Sequence, residues 1–235
     1  MTFYKDIQCC RICGNLDLDL IIELGDMALA GVFPKTSEEE VPVGPLTLVK
    51  CRESPSGDFC GLVQLREIYD PNMMYGHNYG YRSGLNRSMV EHLHNKVKNI
   101  LKHITIKPED IVVDIGSNDS TLLQAYPKEK VTLVGFDPTG QKFRKYYPEH
   151  ITLFDDFFDS KIFKTNFKDR KARVITSIAM FYDLDEPLKF VKEIFDILSD
   201  DGIWVFEQSY LPFMLEVNAF DTICHEHQEY YRLKE

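Results

Sequence analysis

One stretch limits what this chain can fold into more than any other: Ile111-Val112-Val113-Asp114-Ile115-Gly116-Ser117-Asn118-Asp119. A β-branched run of this kind suits a parallel strand buried on both faces. Gly116 then permits a tight turn into a helix. The next strand, Leu133-Val134-Gly135-Phe136-Asp137, closes on an acid. Strand, glycine turn, helix, strand and acid form the first half of a nucleoside-binding α/β unit, with Asp137 placed to accept hydrogen bonds from both ribose hydroxyls.

The residues missing from the turn decide which nucleoside fits. A dinucleotide site uses three glycines so that bare N–H groups can cradle a pyrophosphate. Here only Gly116 is present, and Asn118, Asp119 and Ser120 follow it. A carboxylate at Asp119 repels a phosphate, yet costs little beside S-adenosylmethionine, which has no phosphate and carries a positive sulfonium. The pattern excludes NAD and selects S-adenosylmethionine.

From Ile111 the chain alternates strand and helix, with strands expected at 111–114, 131–136, 151–154, 173–178 and 202–207. An amphipathic helix is expected from about Ser88, its apolar stripe being Met89, Leu93, Val97, Ile100 and Ile104. Another starts at Asp185-Glu186-Pro187, with Leu188, Val191, Phe195 and Leu198 expected to face the core. Residues 1–70 differ: short β-like pieces (Ile21–Leu24, Leu46–Val49), Pro/Gly punctuation, and five of the six cysteines. So small a segment gains from a metal staple. The domains are therefore expected at 1–70 (zinc-binding) and 71–235 (nucleoside-binding α/β).

A net charge of −10 argues against nucleic acid and against an anionic membrane surface. The N-terminus has no apolar signal region and no run is long enough to span a bilayer, so a cytoplasmic protein with reduced cysteines is expected. Cys10-Arg11-Ile12-Cys13-Gly14 has zinc-knuckle spacing, and Cys51 and Cys60 are the partner pair available before the α/β region, with Cys9 as a substitute. Four thiolates leave no open position, so this zinc is structural. A second cluster, Cys224-His225-Glu226-His227, follows the last strand, where the carboxyl ends of parallel strands face a ligand crevice. Two histidines flanking a carboxylate offer a base near neutral pH and a group to orient it.

Taken in order, these motifs resemble a known family, the bacterial sugar C-methyltransferases that act on nucleotide-linked 4-keto deoxysugars. The segments carrying the resemblance are Cys10–Gly14, Cys60-Gly61-Leu62-Val63-Gln64-Leu65, Asn78-Tyr79-Gly80-Tyr81-Arg82-Ser83-Gly84, Asp114–Asp119, Phe206-Glu207-Gln208-Ser209-Tyr210 and Cys224–His227. The resemblance implies an α/β fold: a Rossmann-like class I methyltransferase sheet with a small N-terminal zinc-binding domain. It implies His227 as the base that removes the proton beside the sugar ketone. Glu226, His225, Tyr79 and Tyr81 would orient it and stabilise the enolate oxygen. Asp114, Gly116, Ser117, Asn118, Asp137, Asp156 and Phe157 would bind S-adenosylmethionine, and Cys10, Cys13, Cys51 and Cys60 a structural Zn2+. Arg82 and Arg87 are candidates for the sugar-nucleotide diphosphate.

The chain departs from the family at Ser120, where the turn usually ends in glycine, and at Cys224, where tyrosine is common. It also stops soon after the expected base, short of two further strands and a C-terminal domain. A truncated or split protein is therefore expected, with a second polypeptide as the partner that supplies the missing part. The rival readings are an O- or N-methyltransferase of a small metabolite, and a fragment that binds S-adenosylmethionine without turnover.

Overall fold

The computed structural model describes residues 3–52, 59–76, 79–129 and 131–235; Asn78 of the Asn-Tyr-Gly-Tyr segment lies outside the described residues. The chain divides into two compact units. One comprises Met1–Gly80, Phe181–Phe190 and Gln208–Glu235, the other Tyr81–Met180 and Val191–Glu207.

In the first unit, β1 (Tyr4–Asp6) pairs with β5 (Glu67–Tyr69). An antiparallel sheet runs in the order β11 (Glu229–Tyr230), β4 (Val63–Leu65), β3 (Val43–Cys51), β2 (Leu18–Ala28). Leu46 and Leu48 of β3 pack with Leu65, Tyr230, and Leu211 and Met214 of α6 (Leu211–Glu216). A smaller cluster joins Leu29, Tyr69 and Met74, the last on α1 (Pro71–Met74). That short helix starts where Asp70 accepts a bond from the Asn72 N–H and Pro71 needs no partner. The edge strand β2 leaves Leu20, Ile22 and Leu24 exposed.

The second unit is a five-stranded parallel sheet. Its order is β10 (Leu198–Glu207), β9 (Ala172–Ile178), β6 (Asp110–Ile115), β7 (Val131–Phe136), β8 (Ile151–Phe154). All four neighbouring pairs are parallel. Central β6 is covered on both faces, which is why its apolar run does not alternate. The helix α2 (Arg87–His103) lays Leu93, Val97 and Ile100 against Val112, Leu133 and Val174. Asn86 caps it by accepting from the Ser88 N–H at 3.0 Å, and Lys102 and His103 sit in its last turn. The connections also include α3 (Gly140–Phe143), α4 (Ser160–Phe167) and α5 (Pro187–Ile197). No helix among the described residues is long and apolar enough to cross a membrane.

Two expectations are corrected. The glycine turn does not open into an α-helix: a single 3-10 turn, Leu123–Ala125, follows it. Asn118 (φ 49°) and Ser120 (φ 66°) are left-handed, and Pro127 stops the segment before a helix can propagate. On α5 the stripe Leu188, Val191, Phe195 faces outward, Phe195 being 80% exposed. Phe190, Ile194 and Ile197 are the buried face. The helix is apolar on two sides, and spacing alone could not tell which side is covered.

Candidate active site and metal centre

The four candidate metal ligands come together, although only Cys10 and Cys13 have knuckle spacing. The Sγ atoms of Cys10, Cys13, Cys51 and Cys60 all lie within 4.8 Å of one another, and Cys9 is not among them. Cys10–Cys60 and Cys13–Cys51 are 3.5 Å apart and Cys13–Cys60 3.6 Å. A disulfide needs about 2 Å between sulfurs, whereas tetrahedral Zn–S bonds of about 2.3 Å place them about 3.8 Å apart. The four thiols therefore fit one Zn2+. Gly14 follows the knuckle with φ 73°, the left-handed turn that lets the Cys10 carbonyl accept the Gly14 N–H at 2.9 Å.

In the second unit, the carboxyl ends of β6 and β7 gather Asp114, Gly116, Ser117, Asn118 and Asp137. Gly116 is left-handed (φ 73°), and the Phe136 carbonyl accepts from the Gly116 and Ser117 N–H groups at 2.8 and 3.2 Å. Tyr147 Oη donates to the Asn118 carbonyl at 2.8 Å, so at 2.9 Å from Ser117 Oγ it accepts. Asp114 is fully enclosed: Thr176 Oγ1 donates to it at 2.6 Å, and burial, opposed by Thr176 and reinforced by Asp137, pushes its carboxyl up to about 7. Asp114 thus ties β6 to β9 at the foot of its strand end.

Asp137 accepts from the Asn118 N–H at 2.7 Å through Oδ2, and from the Thr139 N–H at 2.7 Å and the Thr139 hydroxyl through Oδ1. Burial raises its carboxyl even against those bonds. Oδ2 has one protein donor and therefore acceptor capacity left for a ribose hydroxyl. After β8, Asp156 is exposed, its Oδ1 accepting from the Phe157 N–H at 2.8 Å, and the Phe157 ring is 39% exposed. A Cβ-free turn, an acid with a spare lone pair and an open aromatic fit S-adenosylmethionine.

Asp119, expected from the sequence to repel a phosphate, is instead paired with a cation, so its charge alone does not exclude one. Arg82 Nη1 and the Gly84 N–H donate to its Oδ2 at 2.9 Å each, and the Arg82 guanidinium stacks 4.1 Å from the Tyr146 ring centre. Both Arg82 and Arg87 are taken up by carboxylates, the latter by Glu91 at 2.8 Å on the exposed face of α2.

The His-Glu-His segment belongs to the first unit. His227 Nδ1 lies 2.7 Å from the Thr222 carbonyl oxygen, which can only accept, so Nδ1 carries the proton and Nε2 the lone pair. Burial lowers the His227 pKa below its ordinary value, partly offset by that bond. Tyr182 packs edge-on at 4.5 Å. Ligand-type atoms of Cys224, Glu226 and His227 lie within 4.8 Å of one another. Burial raises the Glu226 carboxyl and pushes the Cys224 thiol up to about 11. His225 is occupied elsewhere, with Nε2 donating to the Gly44 carbonyl at 3.3 Å and the ring edge-on to Tyr69 at 4.8 Å.

Tyr79 belongs to the first unit, its ring 5.6 Å from that of Tyr75, whereas Tyr81 belongs to the second and is 45% exposed. Two further groups escaped sequence reasoning. Tyr75 Oη and Asp183 Oδ1 are buried within reach of each other, and neither has another hydrogen-bond partner among the described residues. Burial raises both pKa values well above normal, and Glu226 raises each further. A lone tyrosine and a lone aspartate carry no signal in sequence; what marks them is their burial beside each other.

Comparison with known proteins places these features. Residues 10–75 match a family described as a zinc binding domain, and residues 86–235 match one described as a methyltransferase domain. C-methyltransferase NovU of Streptomyces niveus is 26% identical over 234 residues, covering 97% of this chain and 54% of that protein. The chain thus spans about half the length of the curated relative it matches. Among solved structures, a chain of the complex between the Haloferax volcanii Trm112 methyltransferase activator and a methyltransferase superposes with a TM-score of 0.50. It is 19% identical, over 63% of this chain and 67% of that one, which supports the fold.

Proposed function

The chain belongs to the methyltransferase-domain family, and from that premise we propose that it serves S-adenosylmethionine-dependent C-methylation of a nucleotide-linked keto-deoxysugar. The observation that carries this reading is the tautomer of His227. With its Nδ1 proton committed to Thr222 and its pKa lowered by burial, it presents an unprotonated Nε2 at neutral pH. A carbon nucleophile must be generated in place, so a base of this kind is needed to take the proton from the carbon beside the ketone.

The electron pair left on that carbon moves into the carbonyl, and the oxygen becomes an enolate that requires hydrogen-bond donors. Tyr75 Oη, buried beside Asp183 and with no other hydrogen-bond partner, is suited to donate to that oxygen, and burial, which raises the Asp183 carboxyl, favours its neutral form there as a second donor. Tyr79, packed on Tyr75, and Glu226, beside His227, orient them. S-adenosylmethionine, when bound, supplies the electrophilic methyl on its sulfonium. Asp137 would hold its ribose, Asp156 and Phe157 its adenine, and Gly116 to Asn118 would let the chain's own backbone approach it. An O- or N-methyltransferase has no use for two donors at an enolate oxygen. The relative's name, a C-methyltransferase, agrees with the carbon acceptor.

The test is solvent exchange. A panel of nucleotide-linked 4-keto-6-deoxysugars is incubated with the protein in D2O without S-adenosylmethionine. The reading expects deuterium at the carbon beside the ketone for one of them, and loss of that exchange in His227→Ala. Methyl transfer to oxygen or nitrogen, with no exchange, contradicts it.

A further inference from the structure

Arg11 sits between the two knuckle cysteines, and its side chain is 2% exposed. Burying a guanidinium is costly unless its donors are met, and a four-thiolate staple has no need of one. Its bonds run elsewhere. The Arg11 N–H and Nη1 donate to Gln64 Oε1 at 3.2 Å each, and Nη1 also to the Leu65 carbonyl at 2.7 Å. Nη2 donates to Gln228 Oε1 at 2.7 Å, and Nε faces Glu229 Oε1 at 3.4 Å.

Gln228, the residue after His227, is held on every side. Its N–H donates to the Tyr182 carbonyl at 2.7 Å and its carbonyl accepts from the Leu65 N–H at 2.9 Å. Because Arg11 fixes Oε1, the amide must point Nε2 the other way, where it donates to the His225 carbonyl at 3.2 Å. The Tyr182 ring in turn packs on His227.

We propose that Arg11 is a positioning residue for His227, through which the zinc knuckle sets the backbone that aims the base. The inference rests on reading His227 as the base. It gives the metal a second duty: the ion that staples Cys10 and Cys13 also fixes the residue between them, and so the His-Glu-His segment.

The test compares Arg11→Ala and Arg11→Lys in the full zinc-loaded chain. Four quantities are read: zinc per chain, S-adenosylhomocysteine affinity, the exchange rate of the ketosugar, and the NMR titration of the His227 imidazole, assigned with His227→Gln. Arg11→Ala is expected to keep its zinc and its nucleoside affinity while the exchange rate falls about 10²-fold at little change in KM, the cost of a misplaced base. Its His227 titration moves up toward the ordinary imidazole range. Arg11→Lys, which keeps the charge facing Glu229 but not the planar fork, falls between. An unchanged rate and an unchanged His227 titration in Arg11→Ala overturn the proposal.

Should Arg11→Ala fail to load zinc, Gln228→Leu cuts the same link beyond the knuckle. It is expected to show the same rate loss and titration shift, and wild-type behaviour there overturns the proposal. If the wild-type chain exchanges no ketosugar, the functional reading fails by itself, while the His227 titration still decides the link.

Discussion

At the scale of single residues, the decisive fact is which nitrogen of His227 holds the proton. A base with Nδ1 committed and a lowered pKa stays unprotonated throughout the neutral range. Exchange catalysed by the wild-type protein should therefore be flat above pH 7 and fall as pH drops through an apparent pKa below about 6.5, where the imidazole takes a proton it cannot share. His227→Ala should lose about 10²- to 10⁴-fold in rate and the acid limb with it; a limb that survives assigns it to another group. Ser120 gives a separate residue-scale test. Its φ of 66° is one that a side chain resists, yet Gln124 Nε2 donates to its hydroxyl at 3.0 Å. Ser120→Ala and Ser120→Gly both lose that bond, but only glycine relieves the backbone. The glycine variant should therefore be more stable than the alanine variant by about 1 kcal/mol in urea unfolding. The sequence raised the question by placing serine at the end of the glycine turn; the sign of φ came from the structure.

Elements that draw their order from a local pattern were legible from the chain. The parallel strands were expected within a residue or two, apart from β10, which starts four residues early. They are short apolar runs between turns, and burial on both faces leaves little ambiguity. The helix α5 shows the limit of such reading. Apolar residues occur on two of its sides, and only the packed structure tells them apart. Ile194→Ala on the buried face should cost about 2–5 kcal/mol in chemical denaturation, against less than about 0.5 for Phe195→Ala on the exposed one. The reverse order would restore the stripe inferred from spacing. The helix expected after Gly116 failed for a different reason: two left-handed residues within a short segment leave no room for a helical nucleus.

On the scale of the whole molecule, what could not be read was how distant segments combine. Residues 181–190 and 208–235 belong with the N-terminal unit, and such long-range contacts leave no periodicity behind. The four thiols and the glycine turn were legible because each is compact in sequence and chemically distinctive. Tyr75, Asp183 and the reach of Arg11 were not, since their meaning lies in burial and long-range bonds. Most depends on whether the turn after β6 and the acid after β7 hold the methyl donor. Calorimetric titration of S-adenosylhomocysteine into the zinc-loaded chain, beside Asp137→Ala, tests it most directly. Saturable binding at one site, weakened at least about tenfold in the variant, a loss of about 1.4 kcal/mol, is the predicted result. No heat of binding from a folded wild-type chain, or equal affinity in the variant, would contradict it.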